Sequence, residues 1–135
     1  MPKRFGILTI LTLAACVETH EENRVDAIRG KQLFSENCAV CHGPNAEGAG
    51  DASLGLGTPP PGLRQLSQRN GGVFPRDYVM GTIDGLERHE TLDAAMPEFG
   101  AGNLGPLIQV EEDGHTVPTP AKLLALAAYL ETIQD

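Results

Sequence analysis

The chain has 135 residues, which is enough for one domain. Hydrophobic residues make up 41% of it, but aromatic residues only 4% with no tryptophan, so alanine and leucine alone would build a thin core. Ten Lys and Arg against eighteen Asp and Glu give a net charge of −8, which argues against nucleic acid as a partner. The three cysteines are too few, and odd in number, for a disulfide scaffold.

Residues 1–15 have the layout of a secretory signal peptide. Lys3 and Arg4 precede an uncharged apolar run, which is about half as long as the ~20 residues that a membrane-spanning helix needs. The letters L-A-A-C at positions 13–16 resemble the lipobox of bacterial lipoproteins, in which cleavage before the cysteine is coupled to its acylation. The alternative is an ordinary signal peptide cut nearby, which leaves Cys16 as a free thiol or removes it.

The lipobox resemblance implies three parts. Residues 1–15 are the signal peptide, residues 16–23 are an acidic, solvated tether beginning at the acylated Cys16, and residues 24–135 are the folded domain. Removing residues 1–15 lowers the net charge from −8 to −10, because Lys3 and Arg4 are lost. We therefore expect an exported protein on the periplasmic side of a membrane, held there by a lipid anchor.

Helical patterns lie at both ends of the domain. Asn23, with Asp26 three residues later, predicts a helix start. The positions that then share one helix face are Gly30, Leu33, Phe34, Asn37 and Cys38. A second helix is predicted to start at Thr119 and Pro120. Its apolar stripe consists of Leu123, Leu126, Ala127, Leu130 and Ile133, with Tyr129 at the edge.

The middle of the chain is rich in loops. Residues 43–62 include six glycines and four prolines, which excludes a helix interior or a central strand. Too little chain precedes this segment to form a separate domain, so we expect it to wrap around something. A short helical turn is predicted at 63–67. A helix is predicted from Pro75 to Asp84, followed by Gly85, in the usual order of proline first and glycine last.

A long acidic insertion occupies residues 100–118. Within it, residues 107–110 and 115–117 flank Glu-Glu-Asp-Gly, which predicts a small hairpin that turns at Asp113 and Gly114. Two roles are open for the insertion: it covers a bound group, or it forms a docking surface.

The strongest chemical motif is C-A-V-C-H at residues 38–42. This is the C-x-x-C-H pattern by which a c-type haem is attached covalently. Two cysteines three residues apart on a helical turn present both sulfurs to one edge of a porphyrin, and the adjacent His42 is then placed under the iron as a ligand. The motif predicts one haem c per chain, bound by Cys38, Cys41 and His42.

Two other sites use two nearby cysteines. A zinc site needs a second pair of ligands, but the remaining cysteine, Cys16, lies in the targeting segment. A thioredoxin-like redox pair needs a preceding strand, whereas residues 23–38 have a helical pattern. Neither alternative is well supported.

Over residues 26–133 the chain resembles the class I cytochromes c. Gly30 and Phe34 before C-A-V-C-H-G are similar to the first helix of that family, and L-A-A-Y-L at 126–130 is similar to its last. The resemblance implies an all-α, class I cytochrome c fold, in which the N- and C-terminal helices cross and loops wrap a covalently bound haem. Glycine suits such a crossing, because Tyr129 or Leu126 can then approach the backbone.

The family resemblance also implies a second axial ligand. M-P-E-F-G at 96–100 resembles the loop that supplies it, and Pro97 biases Met96 away from helical conformation. Met96 is therefore the predicted sixth ligand. Met80 is its rival, although a methionine inside a helix is more often packing. His89 and His115 are fallback ligands, expected to be solvated loop residues.

Other roles follow from the same resemblance. Pro61, in P-G-L, resembles the position whose carbonyl accepts the proton of the proximal imidazole, although the three consecutive prolines leave the register open by one residue. Arg64, Arg69 and Tyr78 are candidate donors to the haem propionates, against the default of an ordinary surface position.

The expected function is electron transfer by a membrane-tethered monohaem carrier. A six-coordinate iron leaves no open site, so we expect no enzymatic activity and no small-molecule substrate. The acidic chain predicts redox protein partners with a basic docking patch. The alternatives are a haem subunit of a larger respiratory oxidoreductase, or a gas or redox sensor or small peroxidase if Met96 is displaced.

Overall fold

A computed structural model describes residues 17–86, 96–112 and 114–135, with side chains from Asp26 onward. The elements in these ranges are helices joined by loops, plus one hairpin. In chain order they are α1 (Val17–Asn37), α2 (Ala39–His42), a 3-10 turn (Asp51–Ser53), α3 (Leu66–Arg69), α4 (Arg76–Asp84), β1 (Leu107–Glu112), β2 (His115–Pro120) and α5 (Ala121–Thr132).

The core lies where α1 crosses α5. Gly30 faces α5 so closely that an added Cβ would overlap the carbonyl oxygen of Ala125 and lie 2.7 Å from the Cβ of Tyr129. One turn further along, Phe34 is 2% exposed and its ring centroid lies 5.4 Å from that of Tyr129, with the rings tilted by 52°. Such tilted aromatic pairs are favourable beyond the area that they bury. The predicted contact of Gly30 with Tyr129 is therefore confirmed, while Ala125 takes the place expected of Leu126.

The burial of α5 is wider than the predicted stripe. Ala121, Leu123 and every residue from Ala125 to Leu130 are buried. This happens because α5 packs against α1 and also against α4. The helix begins after Pro120, where the backbone N–H of Ala121 donates to the Pro106 carbonyl at 2.9 Å.

α4 follows the predicted order of proline and glycine. Pro75 precedes its first residue, and Gly85 ends it in the left-handed conformation, with φ 101°. Val79 and Ile83 are its buried residues. The chain returns to this end of α4 after Met96, because the N–H of Phe99 donates to the Ile83 carbonyl at 3.2 Å and that of Gly100 to the Asp84 carbonyl at 3.0 Å.

The hairpin is confirmed and is longer than expected. β1 and β2 are antiparallel, with Leu107 opposite Pro120 and Glu112 opposite His115. Most of its side chains are exposed. Asp113 of the predicted turn lies outside the described residues, whereas Gly114 has φ 76°.

Three helix starts differ from the prediction. α5 begins at Ala121, because Thr119 and Pro120 pair with β1 as the end of β2. α1 begins at Val17 rather than at Asn23, so the part of the expected tether after Cys16 is helical. No glycine or proline interrupts residues 17–29, and glutamate has good helix propensity, which allows the helix to extend backwards. The short turn predicted at 63–67 is observed as α3, three residues later at Leu66–Arg69. No described helix combines the length and the apolar composition required to cross a membrane.

The helix crossing leads to a first prediction. Gly30→Ala places a methyl group against the backbone of α5 and should destabilise the folded protein by about 1–3 kcal/mol, although alanine is the better helix former. Gly57→Ala is the matched control, because an added Cβ there meets nothing within 4 Å. Urea denaturation of the two holoproteins measures the difference, and equal stabilities would contradict the close crossing.

Candidate functional site

The C-x-x-C-H motif forms one closed turn at the end of α1. The Cys38 N–H donates to the Phe34 carbonyl at 2.8 Å, and the Cys38 carbonyl accepts from the N–H groups of Cys41 and His42 at 3.1 and 2.9 Å. α2 then carries Cys41 and His42. The turn therefore continues directly from the buried Phe34, which fixes the motif to the α1–α5 core.

The glycine-rich loop after His42 closes over this turn. The N–H of Gly48 donates to the His42 carbonyl at 2.7 Å, and the N–H of Gly50 donates to the Cys41 carbonyl at 2.8 Å. A Cβ on Gly50 would lie 2.7 Å from the Val40 carbonyl oxygen, so only glycine fits at this distance. The predicted wrap is confirmed over these residues, and it satisfies backbone carbonyls that α2 is too short to pair.

Pro61 lies close to His42. The proline run passes close to the loop, since a Cβ on Gly48 would lie 2.7 Å from the Pro60 carbonyl oxygen. Leu63 then donates its N–H to the Ala46 carbonyl at 2.8 Å. Burial lowers the pKa of His42, and the nearby Pro61 carbonyl opposes this shift in part.

The imidazole of His42 has the protonation state that metal coordination requires. A lowered pKa favours the neutral ring at neutral pH, and neutral imidazole is the form that coordinates metals. Its Nδ1 is buried and has no hydrogen-bond partner in the described part of the chain. The nearby Pro61 carbonyl is the acceptor available to it, and such a bond orients a ligating ring and increases its basicity.

The two motif thiols are half-buried and free. Burial raises the pKa of Cys38 to about 11, and the neighbouring Cys41 adds to the increase, so the Cys38 thiol is neutral at neutral pH. In the described ranges no three His, Cys, Asp or Glu side chains are grouped to hold a metal ion, and α1, not a strand, precedes the motif. These observations leave the zinc and thioredoxin-like alternatives without support.

An open cavity of about 220 Å³ adjoins the motif. It extends from Cys38 to the segment after Met96, between the end of α1 and the beginning of α5. Its walls are mainly apolar and include Leu33, Phe99, Leu104 and Leu126. The two free thiols and the imidazole on one turn fit a porphyrin attached at its edge, and the cavity adds apolar walls on the Cys38 side; Cys41, His42 and Met96 do not line it.

The structure places both candidate methionines against the same core. Met96 is half-buried and packs on the buried cluster, and so does Met80 in α4. Met96 differs in lying on a non-helical segment outside the regular helices, followed by Phe99, which is tied to α4. Of the fallback ligands, His89 lies outside the described residues and His115 is exposed at the start of β2.

The candidate propionate donors have other contacts. The Arg64 guanidinium donates to the Asp135 carboxylate at 2.5 Å, and that of Arg69 donates to the Gly62 carbonyl at 2.7 Å. Tyr78 is 48% exposed on α4. The two arginines therefore tie the segment around Pro61 to other parts of the protein, a role that the sequence did not indicate.

Comparison with known proteins decides the family. The sequence profile described as Cytochrome c matches residues 27–134, which is most of the chain. The chain belongs to the cytochrome c family. Members of this family bind a covalent c-type haem, and Cys38 and Cys41 have the spacing of its attachment motif.

A relative and the solved structures add to the comparison. A stretch of 34 residues is 47% identical to the Cbb3-type cytochrome c oxidase subunit CcoP of Azospirillum brasilense. That match covers 25% of this cytochrome c and 12% of the relative, so the matching part is a small share of either protein. No solved structure gives a significant match.

The close approach of Gly48 to the proline run leads to a second prediction. Gly48 has φ +89° and Gly55 has φ +94°, so alanine is strained at both positions by about 1–3 kcal/mol. Only at Gly48 does the added Cβ also meet the Pro60 carbonyl, which should cost about 1–3 kcal/mol more. Thermal unfolding of the Gly48→Ala and Gly55→Ala holoproteins tests this, and equal losses would show that the loops are not in close contact.

Proposed function

We propose that this cytochrome c is a monohaem electron carrier with His42 and Met96 as axial ligands and with no substrate chemistry of its own. The observation that carries the proposal is the C-x-x-C-H turn itself. It places two free thiols next to an imidazole whose Nδ1 is buried and has no hydrogen-bond partner in the described part of the chain, with the Pro61 carbonyl nearby. Haem c, when attached there, supplies an iron that accepts and releases one electron.

The residues around the turn perform three tasks. Cys38 and Cys41 provide the sulfurs for two thioether links. His42 would provide Nε2 for the iron, with the nearby Pro61 carbonyl as the hydrogen-bond acceptor for its Nδ1–H. Leu33, Phe99, Leu104 and Leu126 give the cavity beside Cys38 apolar walls, which would limit the reorganisation that accompanies a change of charge on a group bound there.

Met96 is supported over Met80 by its local backbone. Met80 lies in the middle of α4, where neighbouring Val79 and Ile83 fill the core. Met96 precedes a proline, and the hydrogen bonds of Phe99 and Gly100 anchor the chain just beyond it. A thioether on such an anchored loop reaches a fixed position without unwinding a helix.

The ligand assignment leads to a third prediction. Met96→Ala should remove the weak red absorption band of the sulfur–iron bond in the ferric protein and should allow the reduced protein to bind carbon monoxide. Met80→Ala, the matched control, should retain the band. Optical spectra of both variants make the measurement, and loss of the band in Met80→Ala alone would transfer the ligand role to Met80.

A second candidate function is that of a haem subunit in a respiratory oxidoreductase. The observation that favours it is the local similarity to a protein named as an oxidase subunit. The two functions differ in how the chain is isolated from its native membranes. A carrier dissociates from its partner during mild detergent extraction, whereas a subunit remains bound through size-exclusion chromatography.

We further propose that the domain at 24–135 is held at the periplasmic side of a membrane by acylated Cys16, after removal of residues 1–15. The L-A-A-C sequence supports this. Acylation by more than one chain gives stable attachment, since each buried methylene contributes about 0.8 kcal/mol.

The tether leads to a fourth prediction. Cys16→Ala should prevent acylation and move the protein from the membrane fraction to the soluble periplasmic fraction or leave it unprocessed. Membrane fractionation and the intact mass measure this. An unmodified Cys16 in the native protein would contradict the anchor.

The charge of −10 expected after processing supports redox partners with a basic docking patch. The fifth prediction is that the association rate with the physiological partner falls as ionic strength rises, because salt screens charges over about 10 Å at 0.1 M. Stopped-flow mixing at several salt concentrations measures this rate. A rate independent of salt would remove electrostatic docking from the account.

A further inference from the structure

One glutamine beyond α5 joins this helix to the segment that contains Pro61. The side-chain amide of Gln134 donates to the Leu63 carbonyl at 2.9 Å and to the Leu130 carbonyl at 2.7 Å. Its side-chain oxygen accepts the N–H of Ser67 at 2.9 Å. All three bonds are part-buried. A single side chain therefore connects the end of α5 to both Leu63 and Ser67.

The carbonyls next to Pro61 are all held by donors. They are paired as follows: Pro60 with the Ala49 N–H at 3.4 Å, Gly62 with the Arg69 guanidinium at 2.7 Å, Leu63 with Gln134 at 2.9 Å, and Arg64 with the Asp135 N–H at 2.9 Å. The Pro61 carbonyl lies beside the His42 turn, because its carbon would be 3.0 Å from a Cβ on Gly48, whose own N–H donates to the His42 carbonyl. The orientation of one carbonyl is thus fixed by the bonds of its neighbours.

Gln134 differs from the other donors in its surroundings. The Arg64–Asp135 pair and the Arg69 contact are exposed, so water can replace them at little cost. The hydrogen bonds of Gln134 are partly buried, so water replaces them less easily. Loss of its amide donor would leave the Leu63 carbonyl without its side-chain partner. Leu63 also donates to the Ala46 carbonyl, so it is held from both sides.

We propose that Gln134 is a positioning residue that aims the Pro61 carbonyl at Nδ1 of His42 and so helps to set the reduction potential of the haem. The inference rests on the proposed function, because it takes His42 as the proximal ligand. A strong bond from Nδ1 makes the imidazole a better electron donor, which stabilises the ferric state and lowers the potential. Loosening the Pro61 segment should therefore raise the potential.

The experiment replaces Gln134 without changing charge. Gln134→Met keeps the length of the side chain but removes its donor and acceptor, and Gln134→Ala is the second variant in case the methionine fails to pack. Thr132→Val is the matched control. It removes a hydrogen bond to the Tyr129 carbonyl at the same end of α5. All are studied as haem-loaded proteins.

Two properties of the holoproteins are measured. The first is the midpoint potential, which should rise in both Gln134 variants and stay at the native value in Thr132→Val. The second is hydrogen exchange at Nδ1 of His42, followed by NMR in the reduced state. It should become about tenfold faster in the Gln134 variants, as expected for a loss of about 1.4 kcal/mol of local hydrogen bonding.

The outcomes distinguish failure of the Gln134 inference from failure of the proposed function. A native potential and native exchange in both Gln134 variants, with only a lower melting temperature, would overturn the inference and make the residue merely structural. Failure of the proposed function is seen earlier and in the unaltered chain, as the lack of covalent haem or of the sulfur–iron band.

Discussion

The turn from Cys38 to His42 has to present two sulfurs and an imidazole together, and a turn so short cannot satisfy its own backbone. The structure solves this with a loop that lies directly on the turn and donates two N–H groups to the Cys41 and His42 carbonyls. Such an approach requires residues without a Cβ at positions 48 and 50. Gly48 and Gly50 are thus a consequence of the attachment site, since they let the chain pass close to it.

The attachment turn and the neighbouring Pro61 segment are each held by one of the two crossing helices. On one side, α1 passes from its crossing with α5 at Gly30, through Phe34, to the amide of Cys38. On the other side, α5 leads to Gln134, which contacts the segment that follows Pro61. The crossing therefore does more than bury apolar surface. It sets the distance between the Cys38–His42 turn at the end of α1 and the segment after Pro61 that Gln134 contacts.

How far the sequence predicted this depends on the range of the interaction. The attachment motif, the limits of α4 and the glycine at the helix crossing could be predicted, because each is a local pattern with one physical explanation. The start of α1 could not, since nothing in residues 17–29 stops a helix. The role of Gln134 could not either, because it depends on contacts with Leu63 and Ser67, far away in the chain. Met96 and Met80 both pack on the core, so packing does not decide which of them is the ligand. The choice of Met96 depends on its local backbone and on the family resemblance.

The most direct test of the account is whether the haem is covalently bound through Cys38 and Cys41. The native chain and the Cys38→Ala/Cys41→Ala variant should be expressed with haem-attachment machinery, extracted with acid acetone, and compared by haem staining after denaturing electrophoresis. The account predicts that the native polypeptide keeps its haem and that the double variant loses it. A native chain that gives up its haem to the solvent, or a double variant that retains it, would contradict the account.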